Sequence, residues 1–282
     1  MLDWYVRNQR DLPWRRDSDP YWVLVSEIML QQTQADRVVG YFERFVAKFP
    51  SFAALAAAPR AEVIQIWGGL GYNRRAVYLH QLAQEVEARY GGQLPRNTEQ
   101  LRALPGIGPY TCGAILSIAF EQDEPALDTN VRRVVARYAF TELPDSRAIE
   151  AKARELLPRG RARDWNQAIM DLGATVCLAR QPRCQDCPLR PGCRNRDRAF
   201  AIPHRSPPKY EGSTRYYRGH LLRTVRQFGA LGAIALTLAA DDLQARGVAE
   251  PKAGWRVVSE SLAQDGLLLI EEGANGAIVG LP

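Results

Sequence analysis

Lysine is scarce in this sequence. Only Lys48, Lys152, Lys209 and Lys252 occur among 37 basic residues, the remaining 33 being arginine. None lies from 49 to 151, so chemistry that needs a lysine amine, Schiff-base formation above all, is excluded from that stretch. Long apolar runs are also missing. The longest, 228–240, has 13 residues, against roughly 20 for a helix that spans a bilayer. The opening MLDWYVRNQRD carries no apolar signal core, so a cytoplasmic, nucleoid-associated location of bacterial type and no membrane partner are expected. There is no internal repeat and no low-complexity tract, which excludes solenoids and disordered arrays.

The chain is long enough, at 282 residues, for two domains, and 46% of its residues are hydrophobic. A formal net charge of +6 favours a polyanionic partner, although many proteins without one are as basic. Residues 1–200 read as successive helices. Apolar residues recur at helical spacing over 21–49 (Val23, Leu24, Ile28, Val38, Val39, Phe42, Phe45, Val46). Further helical patterns lie at 52–57, 60–67, 74–90, 97–103, 110–120, 129–138, 146–157 and 163–176, and no stretch alternates as a strand would. The class is all-α. Residues 201–215 turn to Pro, Ser and charge, as a linker does. Residues 216–282 show helical patterns at 216–226, 229–245 and 254–265, then LLLIEEGANGAIVGLP, in which Asn275-Gly276 reads as a hairpin turn. Helices followed by a two-stranded wing predict a small winged-helix-like module.

Cys177, Cys184, Cys187 and Cys193 form C-x6-C-x2-C-x5-C. Four thiols so close, in a chain expected in the cytoplasm, point to a metal centre rather than to disulfides. Zinc generally takes paired short knuckles, which the long gaps fit poorly. A cubane iron–sulfur (4Fe-4S) cluster needs four cysteines converging on one small body, which a winding loop supplies. Zinc and free core cysteines remain the alternatives. The fifth, Cys112, reads as a packing residue.

LPGIGPYTCG (104–113) puts Gly106 and Gly108 between two helical patterns, a helix-hairpin-helix candidate whose backbone N–H groups suit an anion such as a DNA phosphate. A plain helix–turn–helix connection is the alternative. Asp128, in LDTNVRRV, stands at a helix entrance. It reads as an N-cap, and equally as a carboxylate held ionised and oriented by the helix mouth. Glu27, in YWVLVSEIMLQQTQ, has Val23, Leu24 and Leu30 as helical neighbours. On such a face its pKa should be raised, as a proton donor near neutral pH requires; a partly exposed helical glutamate is the other reading.

Together the hairpin, the aspartate and the cysteine loop resemble the endonuclease III (helix-hairpin-helix) superfamily of DNA glycosylases. LPWR (12–15), SEIMLQQTQ (26–34), WGGLGYNRRA (67–76), LPGIGPYTCGA (104–114), LDTNVRRV (127–134) and WNQAIMDLGA (165–174) are similar to its adenine-specific MutY branch. The resemblance runs through residues 1–200, with the motifs in the family's order. It implies two helical domains with a DNA-binding cleft between them. One would be a barrel at 17–125 with the hairpin; the other would join 1–16 to 126–200 and carry the cluster. The substrate it implies is double-stranded DNA holding an adenine mispaired with 8-oxoguanine or G, attacked in base excision repair by a chain acting as a monomer. Glu27 would protonate adenine and Asp128 would stabilise or trap the oxocarbenium-like sugar. Tyr110 and Asn130 match residues that hydrogen-bond around the aspartate and sugar. Gln32, Thr33, Leu70 and Tyr72 match residues that wedge into the base stack or touch the lesion strand, as base flipping demands. Trp14, Arg15 and Gln167 match the rim of the adenine pocket. Plain readings exist too: Trp14 and Leu70 as core, Gln32 as a solvated helix residue. Relatives that also cut the strand use a lysine where this chain has Tyr110, so a monofunctional glycosylase is expected.

The sequence departs from the family in three places. The usual Nudix-like domain that reads 8-oxoguanine is replaced by 216–282, too short for that fold. Thr129 stands where glycine is common, and Asn73 where a second aromatic is common. Two rivals follow. Thymine or uracil mismatch glycosylases share the tyrosine and aspartate but lack the glutamate. A non-catalytic iron–sulfur DNA-binding protein would have no need of both Glu27 and Asp128.

Overall fold

A computed structural model describes residues 1–196, 200, 209–228, 233–274 and 276–282. In chain order the helices are α1 (Leu2–Asn8), α2 (Pro20–Leu30), α3 (Ala35–Lys48), α4 (Phe52–Ala57), α5 (Arg60–Trp67), α6 (Arg74–Tyr90) and α7 (Thr98–Ala103). They continue as α8 (Pro109–Ala114), α9 (Thr129–Ala139), α10 (Ser146–Leu156), α11 (Ala162–Thr175), α12 (Thr214–Phe228), α13 (Leu236–Ala245) and α14 (Gly254–Gln264). Three short strands, β1 (Ala233–Ala235), β2 (Leu269–Gly273) and β3 (Gly276–Gly280), all lie near the C-terminus. Among the described residues none before Ala233 forms a strand, and no helix is long and apolar enough to cross a membrane.

Local chemistry accounts for several helix ends. Ser51, Asn97, Asp128 and Asp145 each accept a backbone N–H from the first turn of the helix they precede, the bond that N-cap residues supply. Gly91 closes α6 in the left-handed conformation, φ 59°, where a side chain would be strained. Two expectations are corrected. The helical pattern over 21–49 is broken at 31–34, where the Thr33 N–H turns back to the Leu30 carbonyl. The helix expected over 229–245 starts only at Leu236: 229–232 lie outside the described residues, and 233–235 form β1. Antiparallel pairing of Ile234 with Val279 is a long-range contact that helical periodicity cannot reveal.

The chain forms two compact units, Met1–Ile28 with Leu94–Arg205, and Met29–Gln93 with Ser206–Pro282. In the first, α9, α10 and α11 share a core of Val131, Val135, Ile149, Trp165, Ile169 and Leu172, with Cys177 and Cys187 packed on its margin. Here α8 runs on into a π-helical turn, Ile115–Ala119, a feature that often accompanies functional sites. In the second unit Phe45 meets Phe49 and Trp67 edge-on, at 5.1 and 6.0 Å. The C-terminal segment packs Leu221, Leu222, Trp255, Leu262 and Val279 into one core with Ile64 of α5 and Val77 of α6. Its order α12-β1-α13-α14-β2-β3, with sheet order β1-β3-β2, is that of a winged helix. The expected two-stranded wing is thus a three-stranded sheet, because β1 pairs with β3. The strands of the hairpin pair as far as Gly273 with Gly276, and Asn275 lies outside the described residues, as do 201–208 of the expected linker.

Candidate active site

Glu27 sits on α2, only 4% exposed. Its Oε2 accepts a 2.7 Å hydrogen bond from the Tyr110 hydroxyl at the start of α8. Burial pushes its carboxyl up to about 7 against that bond; the charge of Asp128 pushes further and Arg15 offsets part. A group half-protonated near neutrality is suited to proton donation. Burial and the neighbouring Glu27 and Asp128 drive the Tyr110 phenol well above its ordinary range, so Tyr110 stays a neutral donor.

Asp128 caps α9. Its Oδ1 accepts the Val131 N–H at 2.6 Å and its Oδ2 the Asn130 amide at 2.9 Å. Burial raises its pKa, while the Val131 and Asn130 bonds and Arg133 work the other way. The approach to Asp128 is fixed from α11. Asn166, fully buried, donates to the Glu124 carbonyl at 2.9 Å and accepts the Ala126 N–H at 2.8 Å. Arg133 ties Asn130 (2.8 Å) to the carbonyls of Gly173 (2.6 Å) and Cys177 (2.8 Å). A Cβ on Gly173 would stand 2.6 Å from the Asn130 Cβ. Gly173→Ala is therefore expected to cost about 1–3 kcal/mol and to lower activity by shifting Asn130 and Asp128. Urea denaturation and single-turnover rates check it, and an unchanged rate would contradict it.

The structure gathers Arg15 and Gln167 around α1 and α11, with the buried Trp14 in the turn Pro13–Arg15. Arg15 grips Asp171 with two bonds of 2.7 and 2.9 Å, and Arg10 adds a third at 2.7 Å. Asp171 is fully buried, and the two guanidiniums overcome burial to hold its pKa below the usual range. The Gln167 amide oxygen accepts the Tyr5 hydroxyl at 2.5 Å. In the hairpin between α7 and α8, Gly106 has φ 79° and Gly108 is the N-cap of α8.

Gln32, Thr33, Leu70 and Tyr72 belong to the other unit, where one buried residue bonds the two loops that carry them. Arg75 donates to the carbonyls of Met29 (2.7 Å), Gln31 (2.5 Å) and Gly71 (2.9 Å), and to the Thr33 hydroxyl (3.1 Å). Its guanidinium also lies 5.3 Å from the Trp67 ring and 5.4 Å from the Tyr72 ring. Burial brings its pKa down to about 10, so the cation persists at neutral pH. Gln32 (φ 56°) and Tyr72 (φ 47°) are two of three described non-glycine residues with positive φ. Such strain, of order 1–3 kcal/mol each, persists only where the surroundings enforce it and clusters at functional sites. Gln32 and Tyr72 are exposed, whereas Leu70 is buried. Arg75→Met is expected to destabilise the fold by about 3 kcal/mol and to mobilise both loops, measurable by denaturation and by hydrogen exchange at 29–33 and 69–72.

The four loop cysteines are unpaired and half-buried. Burial, joined by Cys177, Cys193 and Cys184 nearby, raises the Cys187 thiol against a backbone bond from Leu189. Arg137, 3% exposed, donates to Cys177 Sγ at 3.7 Å and to the Leu178 and Ala179 carbonyls at 2.7 Å each. Among the described residues no three His, Cys, Asp or Glu side chains are gathered as for one metal ion.

Residues 25–159 match the HhH-GPD superfamily base excision DNA repair protein family. The chain is 43% identical over 232 residues to the adenine DNA glycosylase of Mycolicibacterium smegmatis, covering 80% of this chain and 79% of that one. The chain belongs to the adenine DNA glycosylase family. Among solved structures, a thermostable thymine-DNA glycosylase superposes with TM-score 0.65 at 34% identity, over 70% of this chain and 93% of that one. A non-covalent endonuclease III–DNA complex gives 0.60 at 25%, over 69% and 91%.

In this adenine DNA glycosylase family member, the sequence patterns leave Arg75, Asn166, Asp171, Arg133 and Arg137 unmarked. The doubled arginine of GYNRRA and the polar pair of WNQ are the signals that could have drawn attention to Arg75 and Asn166. Nothing local marks Asp171, whose partners Arg10 and Arg15 are more than 150 residues distant.

Proposed function

We propose that this protein removes adenine from double-stranded DNA by hydrolysing its N-glycosidic bond, without cutting the strand. One observation carries the reading: the buried Glu27 carboxyl, with a pKa of about 7, joined to Tyr110 and influenced by Asp128. Adenine leaves poorly until a ring nitrogen is protonated. Glu27 gives that proton as the C1′–N bond breaks, and the bonding pair departs with the base. Asp128 lies in contact with the oxocarbenium-like sugar and stabilises it or bonds to C1′, as the second carboxylate does in glycoside hydrolysis. Water then adds at C1′ and returns its proton to Glu27. Asn130 orients Asp128, and Tyr110 orients Glu27. Tyr110 has no amine to form a Schiff base, and no lysine occurs from 49 to 151.

On this reading Gly106 and Gly108 hold a backbone phosphate, Gln32, Thr33, Leu70 and Tyr72 engage the strands around the extruded base, and Trp14, Arg15 and Gln167 border the adenine site. The opposite base is 8-oxoguanine or G, and the protein acts as a monomer. The four thiols also suit a 4Fe-4S cluster, held by Cys177, Cys184, Cys187 and Cys193, which would cross-link the loop covalently. A visible iron–sulfur absorption band lost in Cys187→Ser tests that assignment. For the reaction, duplexes carrying A opposite 8-oxoguanine, A opposite G, and T or U opposite G are incubated and scored for alkali-labile sites. Cleavage of the first two supports the reading; cleavage of T or U alone overturns it. Borohydride should trap no covalent enzyme–DNA adduct.

A further inference from the structure

In a helix–turn–helix the second helix ordinarily enters nucleic acid, and in the C-terminal segment that helix is α14. Its exposed face is poorly suited to a polyanion. Arg256 is held by Glu260 of α14 (2.8 Å) and Glu272 of β2 (2.6 Å), and Glu271 is exposed as well. Positive charge is instead presented at the start of α12. Arg215 donates to the Tyr72 hydroxyl at 2.7 Å, and its guanidinium lies 5.5 Å from the Tyr72 ring and 5.0 Å from that of Tyr210. It is exposed, and no carboxylate pairs with it among the described residues. The far end of α12 is tied to the same loop. The Arg226 guanidinium lies directly over Gly68, where any side chain would have to displace it, and Gln65 and Arg226 exchange hydrogen bonds of 3.2 and 3.3 Å. Thus α12 grips the segment 65–72 at both ends.

A guanidinium has five donors in a flat fork. Here one donor engages Tyr72 while the charge stacks on two rings, an arrangement that leaves a preformed site for a phosphate. We propose that Arg215 makes the C-terminal segment part of the DNA-binding face: it fixes the Tyr72 ring and takes a backbone phosphate of the strand opposite the adenine. This rests on the reading of Tyr72 as a residue that engages that strand. The segment then contributes to opposite-base selection from the side of α12 rather than through its helix–turn–helix.

The test uses the full chain and duplexes with A opposite 8-oxoguanine or opposite G. Affinity is measured against salt in an Asp128→Asn background, and base-release rates in the otherwise native chain. Arg215→Ala is expected to reduce the slope of log affinity against log salt by about 0.9, the share of one phosphate, and to narrow the preference for 8-oxoguanine over G. Arg215→Lys should restore the slope but not the preference, and Tyr72→Phe should narrow the preference with the slope intact. Arg256→Ala should change neither. An unchanged slope and preference in Arg215→Ala, with Tyr72→Ala altering the preference, would overturn the proposal alone. No effect of Tyr72→Ala would overturn the reading of Tyr72 and the proposal with it. A slope lost in Arg256→Ala but kept in Arg215→Ala would move the contact to α14 and equally overturn it.

Discussion

Asp128→Asn is expected to abolish adenine release, by about 10³-fold or more, while duplex binding stays within a few-fold of normal. The substitution is nearly isosteric, and asparagine is as good an N-cap as aspartate, so the Val131 bond at 2.6 Å can be kept. What disappears is the negative charge beside a sugar that becomes cationic in the transition state. One strain enters: two side-chain amides, at 128 and 130, would meet where a carboxylate now accepts from Asn130 at 2.9 Å. Rotation of Asn130 would relieve it only by turning its amide nitrogen toward Arg133, which now donates to the Asn130 oxygen at 2.8 Å, so a stability loss of about 1 kcal/mol is expected with the loss of charge. Single-turnover release and equilibrium binding, measured on one preparation, separate the two effects. Normal release would exclude Asp128 from the chemistry, and lost binding would make its role one of structure.

The second large effect concerns Glu27 and pH. A general acid works only while protonated, so base release should be level below about pH 7 and fall tenfold per unit above it, following the carboxyl raised to about 7. On the acid side the rate should fall as Asp128 takes up a proton, at a pH above the ordinary aspartate value because burial raises it. Glu27→Gln should lower the rate by about 10²–10⁴-fold and erase the alkaline limb. The same substitution should raise stability at alkaline pH. The folded-state pKa of Glu27 lies above its ordinary value of 4.5, so folding favours the neutral acid. That advantage is complete at low pH and is lost as pH rises through about 7. At pH 8 the buried carboxylate then costs about 3 kcal/mol. Glutamine keeps an acceptor for the Tyr110 hydroxyl and avoids the charge. Glu27→Gln should therefore be more stable than the native chain at pH 8 and equal to it at pH 4, as urea denaturation would show. A variant less stable at pH 8 would mean that Glu27 is an ordinary structural carboxylate.

Much of this site is legible in the sequence because its signals are local. Glu27 stands on an apolar helical face, Asp128 at a helix entrance, and Gly106 and Gly108 flank a turn, each readable within a few residues. The all-helical character of residues 1–196 follows likewise from apolar spacing and N-caps. The strand Ala233–Ala235 was not legible, since it exists through pairing with Gly276–Gly280, some forty residues later.

The sequence alone marked the candidate groups: two carboxylates with different surroundings, a tyrosine in place of a lysine, and four cysteines on one loop. Tertiary structure decided how those groups are held and charged. Glu27 reaches a pKa of about 7 only because folding buries it beside Asp128. Tyr72 and Gln32 hold positive φ in two loops that Arg75 bonds to one another, and Arg215 meets Tyr72 across 143 residues of chain. Spacing within a helix or turn is written in neighbouring residues, whereas burial, ion pairing and strain depend on side chains that only the folded backbone brings together.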